Sequence, residues 1–215
     1  MKKYEGYCLS CFVHMYPDRP NARNYKTKER AVVESVLRTF PHFTWIDDKR
    51  VQDGCSARRP DLLLDLGYQV IIVEIDENQH RSYDCSCENK RLMQLSQDVE
   101  HRPIVFIRFN PDGYRTSMGP IPSCWGYDGR GMCMIKRSKE EEWVERLKVL
   151  HDTIHYWTQE SNCTDKTVEV FHLFYDEPSC LDDSDDSYDS SEEEEAEAEE
   201  EAESDEAEEE SKESE

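Results

Sequence analysis

Residues 58–80 constrain the fold more than any other stretch: Arg-Arg-Pro-Asp-Leu-Leu-Leu-Asp-Leu-Gly-Tyr-Gln-Val-Ile-Ile-Val-Glu-Ile-Asp-Glu-Asn-Gln-His. Two apolar runs flank a Gly-containing turn, the signature of a β-hairpin with strands over 60–66 and 69–76. With Gly67-Tyr68 as the turn, Leu66 faces Gln69, and counting back along both strands sets Asp61 opposite Glu74. Directly opposed side chains lie about 4.5–5.5 Å apart at Cβ, where like charges repel. Asp76 lies two residues beyond Glu74 and shares its face. Three carboxylates thus crowd one end of a strand that is otherwise Val and Ile. Two arrangements relieve that crowding. One is a cation between the oxygens, and an oxygen-rich site of this kind suits Mg2+. The other is a set of salt bridges from Arg58, Arg59 or Arg108, while a register slip of one residue would separate the acids altogether.

The flanking pattern supplies the elements around the hairpin. Residues 27–40 read as a helix, capped by Thr27, with Val33, Val36, Leu37 and Phe40 on one stripe and Pro41 as the stop. Glu29 falls on that apolar stripe, an odd place for a carboxylate unless it reaches a polar site. Phe43–Ile46 and Lys49–Gln52 read as short strands around the turn Asp47-Asp48. Val70–Val73 is apolar on both faces, as a central strand requires. Residues 80–88 read as a loop and 88–99 as a helix with Leu92, Leu95 and Val99 on its stripe. Ile104–Phe109 is a further buried strand, ended by the turn residues Asn110-Pro111-Asp112-Gly113. Residues 113–138 read as irregular, 139–158 as an amphipathic helix carrying Trp143, Leu147, Leu150, Ile154 and Trp157 on one face, and Thr167–Tyr175 as an edge strand.

Charge divides the chain. The formal net charge is −23, but residues 181–215 hold 21 Asp and Glu against one Lys, leaving the preceding 180 residues at −3. The body is therefore a nearly neutral domain, and 181–215 reads as a disordered acidic tail with too few apolar residues to offset the entropy of ordering. Met1-Lys2-Lys3 is not followed by an apolar leader, and no run approaches the roughly 18 apolar residues of a membrane span, so an intracellular protein with no membrane partner is expected. In a reducing compartment the nine cysteines read as thiols or metal ligands rather than disulfides. Cys8 and Cys11 form a Cys-x-x-Cys within an N-terminal segment, residues 1–24, and Cys55, Cys85 and Cys87 are the further candidates for a structural Zn2+.

The core order is helix, strand, strand, strand, helix, strand. With Pro60-Asp61 opening one strand, Glu74-Ile75-Asp76 closing the next and Glu29 on the preceding helix, residues 25–112 resemble the PD-(D/E)XK nuclease superfamily. Glu74-Ile-Asp-Glu-Asn-Gln79-His80, Arg91 and the strand ending Ile107-Arg108-Phe109 look most like its very-short-patch-repair (Vsr-like) branch. The whole chain is also similar to uncharacterised proteins of large DNA viruses and some protists. There, further zinc-finger-like cysteines precede the Cys-x-x-Cys, and this chain lacks them. The resemblance implies an α/β (α+β) fold, a restriction-endonuclease-like αβββαβ core with a mixed sheet flanked by helices. Residues 113–180 follow as a C-terminal extension and 181–215 as the tail.

The resemblance also implies a metal-dependent DNA endonuclease, in the nucleus or cytoplasm of a host or infected cell or in a virion. Asp61 and Glu74 would hold Mg2+ (or Mn2+), aided by the Ile75 carbonyl. Asp76 would hold a second ion or orient water, Gln79 would position the attacking water, His80 would act as base or acid, and Glu29 would complete the outer shell. Lys49, Arg58, Arg59 and Arg91 would meet DNA, and Arg91 and Arg108 would pair with phosphates or with the acids. One departure stands out: Asp76 occupies the superfamily's lysine position, and Gln79 or His80 would have to compensate. The alternative is a non-catalytic pseudonuclease, a zinc-stabilised adaptor that binds DNA, or binds histones through its acidic tail.

Overall fold

The computed structural model describes residues 6–7, 9–80 and 85–177. These residues belong to one compact unit that runs through Glu177. The acidic tail and its expected disorder lie outside the described residues.

The fold is a mixed α+β arrangement built on the expected hairpin. Helices α1 (Leu9–Met15) and α2 (Pro20–Arg23) precede the long helix α3 (Thr27–Thr39). Strands β1 (Trp45–Asp47), β2 (Leu62–Asp65) and β3 (Val70–Ile75) follow, then α4 (Cys85–Asp98) and β4 (Ile104–Phe109). From α3 to β4 the order is αβββαβ, as the sequence pattern expects. The remaining elements are the short strands β5 (Tyr114–Thr116), β6 (Gly119–Ile121), β7 (Trp125–Tyr127) and β8 (Cys133–Ile135), the helix α5 (Glu140–Trp157) and the strand β9 (Val168–Leu173). One five-stranded sheet runs β1-β2-β3-β4-β9. Its first three strands are antiparallel neighbours, and β3, β4 and β9 are parallel.

The hairpin register is the one counted from the turn. Leu62 pairs with Val73 and Asp65 with Val70, and the Leu66 N–H donates to the Gln69 carbonyl at 3.0 Å. Gly67 turns the chain at φ +83°, a conformation that favours glycine. The Asp65 carboxylate accepts the Gly67 N–H at 2.8 Å, the local bond by which Asp favours turns.

β3 is buried over all six residues. Side-chain alternation sends Leu62, Leu64, Ile71, Val73, Ile75, Val105, Ile107 and Phe109 to one face, where Val32, Val33 and Val36 of α3 and Trp143, Leu150 and Ile154 of α5 cover them. Leu63, Val70, Ile72, Ile104 and Phe106 face the other way, against Leu92, Leu95 and Val99. Each of these fully buried aliphatic side chains contributes about 1.5–3 kcal/mol, which fixes the register firmly because a slip of one would invert both faces. The α5 stripe packs as its 3.6-residue spacing expects, with Leu147 and Trp157 at its margins. β9 is an edge strand, beside β4.

Several local expectations are corrected. Lys26, not Thr27, precedes α3, in a left-handed conformation (φ 55°) without a side-chain cap, and the Thr27 hydroxyl donates to the Arg23 carbonyl instead. Lys49–Gln52 is not a strand: at Asp48 (φ 44°) the chain leaves the sheet edge, and Ser56 then ties the following loop to the Asp98 carboxylate. α4 begins at Cys85, so the second half of the expected 80–88 loop is helical. The segment 113–138 forms two small hairpins, β5-β6 and β7-β8, whose three-residue strands are too short to show a period in sequence.

Candidate active site

The register converts the sequence pattern into a row of charges. Asp61, one residue before β2, continues the pairing opposite Glu74, and Glu74 is in register with Arg108 on β4, itself beside His172 on β9. Asp61, Glu74 and Arg108 alternate with Leu63, Ile72 and Phe106, so they lie on the sheet face that α4 covers. They sit at the carboxyl ends of the parallel strands β3 and β4, where open α/β sheets place their ligands. α4 stops short of covering them, and a cleft of about 460 Å3 opens there. Asp61, Glu74 and Asp76 form its acidic floor; Glu29 and Asp48 add two acids, and Lys26, Arg58, Arg59, Arg91 and Arg108 contribute cations.

Each floor carboxylate is held by a specific partner. The Ile75 N–H donates to Asp61 Oδ2 at 2.7 Å. Arg91 Nη2 donates to Glu74 Oε1 at 2.5 Å and to the Arg59 carbonyl at 3.1 Å. Arg108 Nε donates to Asp76 Oδ2 at 2.5 Å, and the Tyr175 hydroxyl donates to the same oxygen. Asp76 is 1% exposed. It shares the Glu74 face as expected, lines the cleft, and is held through Oδ2 by both Arg108 and Tyr175.

Burial dominates the electrostatics of the pair. It pushes the Asp61 carboxyl up to about 6, against the pull of the Ile75 N–H, with the nearby Glu29 charge adding to the rise. It pushes Glu74 up to about 8, although the Arg91 charge pulls the other way, and Asp61 adds to the rise. Two acids that both resist ionisation in each other's company are what a shared cation would relieve. Among the described residues no group of three or more His, Cys, Asp or Glu side chains is arranged to hold a metal ion. The donor set nevertheless fits Mg2+, which keeps several waters and takes one or two protein carboxylates rather than a full protein cage.

The other candidates separate. Glu29 reaches the cleft from the apolar stripe of α3, as its odd position expects, and pairs with Lys26 at 2.7 Å. Burial opposes the Lys26 charge, but Glu29 and Asp48 more than compensate, so this ammonium is held well above its ordinary value. Arg58 lines the cleft and donates to Gln94 at 2.7 Å, and Arg59 is exposed and bonds the Asp48 carbonyl. Lys49 is exposed and lies outside the cleft lining.

Gln79 is not brought to the acids. Its amide donates to the Gly113 carbonyl and to Asp176, and accepts the Asp176 N–H at 3.0 Å, so the water-positioning role expected of it is replaced by a structural tie. The reason is the backbone: Asn78 and Gln79 are both left-handed, and the Asn78 N–H is anchored on Asp112. The His80 side chain, Cys8, and the Cys85 and Cys87 side chains lie outside the described residues. Cys11 and Cys55 are exposed, and the described residues assemble no zinc set around them.

Two contributors had no clear sequence signal. Tyr175 reaches Asp76 across 99 residues. Asp112 binds Lys28 at 2.7 Å, Ser123 at 3.2 Å and the Asn78 N–H at 3.1 Å, while Arg146, buried in α5, donates to its carbonyl. The Pro-Asp-Gly turn marks that position, but only as a turn.

No protein-family model matches the chain, and no curated protein matches it. Among solved structures, a chain from an assembly of Thermococcus gammatolerans McrB AAA+ hexamers with bound McrC aligns at 15% identity with a TM-score of 0.31, over 61% of this chain and 35% of that one. This chain thus spans about a third of that chain's length. The small subunit of the heterodimeric restriction endonuclease R.BspD6I aligns at 11% identity with a TM-score of 0.29, over 73% of this chain and 98% of that one.

Proposed function

We propose that this cleft binds DNA and hydrolyses its phosphodiester bonds with the help of a divalent ion, Mg2+ or Mn2+. The observation that carries the reading is the pair Asp61–Glu74, set opposite each other by the continued hairpin register, Asp61 half-buried and Glu74 buried, at the floor of a cleft with a basic rim.

Asp61 and Glu74 would hold the ion. When bound, such an ion polarises the scissile phosphate, acidifies its water and neutralises the leaving oxygen. The protein's own groups do the rest. The Ile75 N–H aims the Asp61 carboxylate. Arg108 and Tyr175 fix Asp76 beside Glu74. Arg58 and Arg59 at the rim match phosphate oxygens in charge and fork geometry. Glu29, paired with Lys26, would complete the outer shell of the site.

A pseudonuclease that binds DNA without cutting it is the second reading, favoured by the acid at position 76 and by the arginines already seated on Glu74 and Asp76. Incubation of the full chain with supercoiled plasmid separates the two. The nuclease reading expects nicking or linearisation with Mg2+ or Mn2+ and none with EDTA. Retained DNA binding without cutting under either metal would reject it in favour of the pseudonuclease.

A further inference from the structure

Two arginines meet acids on the cleft floor, and they are built differently. Arg108 is 12% exposed at its side chain and shares Asp76 with Tyr175. Arg91 is 30% exposed, projects from α4, and approaches Glu74, which is only 7% exposed, from the open side of the cleft. Its grip on Glu74 is through one nitrogen, Nη2, which it divides between Glu74 and the Arg59 carbonyl. A long side chain anchored so lightly can move its head into solvent while its stem stays in place.

We propose that Arg91 is a resident countercation: it covers Glu74 when no divalent ion is bound, leaves when one enters, and then serves a substrate phosphate. This rests on the reading that Asp61 and Glu74 hold the ion. The first exchange follows from repulsion: Arg91 holds Glu74 Oε1, and a divalent ion on either oxygen of the same carboxylate would stand close enough to the guanidinium to repel it strongly. The second exchange follows from what the freed guanidinium meets. With the floor neutralised by the ion, Arg58 and Arg59 in the same lining leave the cleft cationic, and a phosphate is the anion such a cleft would draw in. A single side chain thereby couples metal loading to substrate capture.

Mn2+ titrations of the full chain, read by the electron paramagnetic resonance of the free ion, test the displacement in wild type, Arg91→Gln and Glu74→Gln. The titrations are run at pH 8, where at most one proton competes for the pair, and removing one positive charge favours a divalent ion about twice as much as it favours a single proton. Arg91→Gln is expected to bind Mn2+ at least about tenfold more tightly than wild type, and Glu74→Gln at least about tenfold more weakly. Binding of a short fluorescent duplex, on ice and with integrity checked on a gel, tests the hand-over. With each protein referred to its own affinity in EDTA, Mn2+ is expected to strengthen wild type by about three- to tenfold more than the variant. Unchanged or weaker Mn2+ binding in Arg91→Gln, with Glu74→Gln impaired, overturns the displacement and leaves the metal reading intact. An equal Mn2+ gain in duplex affinity for both proteins overturns the hand-over. Equal Mn2+ binding by all three proteins, or binding by none, removes the metal reading and this proposal with it.

Discussion

Glu74→Gln is expected to make the protein more stable at pH 8. The buried Glu74 carboxyl is raised from an ordinary 4.5 to about 8. Between those values the folded state binds a proton that the unfolded state has released, so stability falls as pH rises through this window. At about 1.36 kcal/mol per pH unit, the full difference amounts to about 5 kcal/mol by pH 8. Glutamine abolishes that penalty but leaves Arg91 without its carboxylate. Because Arg91 is 30% exposed it can turn to water, and a net gain of about 2–3 kcal/mol remains. For a chain of this size that is a rise in Tm of about 5–10 °C. Urea unfolding followed by tryptophan fluorescence at pH 8 and at pH 4.5, without metal, measures it. The gap between variant and wild type should be present at pH 8 and gone at pH 4.5. Equal stabilities at pH 8, or a variant less stable there, would refute the claim that burial outweighs the Arg91 ion pair.

Two other perturbations have defined outcomes. On the proposed reading a metal ion would have to displace protons from Glu74 and Asp61, raised to about 8 and about 6, so cleavage at limiting Mg2+ should increase from pH 6 to pH 8 and the rise should move to lower pH as Mg2+ is made saturating; a profile independent of Mg2+ concentration would contradict this. Asp112→Asn removes the charge that faces the largely buried Lys28, and should cost about 2–3 kcal/mol in urea unfolding, with Glu77 at 3.4 Å limiting the loss.

The hairpin was legible because two constraints agree in it: a turn with glycine at its start, and apolar runs whose faces must both be buried. Together they determine Asp61 opposite Glu74 without any tertiary information. Glu29 was legible for the converse reason, since a carboxylate on an apolar stripe needs a polar destination. The pairing of Arg91 with Glu74, and of Arg108 with Asp76, was visible only as one of two options, because an arginine suits a carboxylate and a phosphate equally and the choice depends on α4 and β4 docking on β3. Gln79 misled for a backbone reason: its spacing from Glu74 is right, but two consecutive left-handed residues turn its amide towards Asp176. Tyr175 could not be found by pattern at all, since it enters through the parallel pairing of β9 with β4, a contact between segments more than 60 residues apart.

The most direct test of the account compares plasmid cleavage by wild type, Asp61→Asn and Glu74→Gln across a Mg2+ and Mn2+ series, with urea unfolding confirming that each variant is folded. The account predicts metal-dependent cutting by wild type and a loss of at least about a hundredfold in both variants, as expected when a group that holds the reacting centre is removed. Cutting that persists in either folded variant would contradict the assignment of the Asp61–Glu74 pair as the catalytic floor.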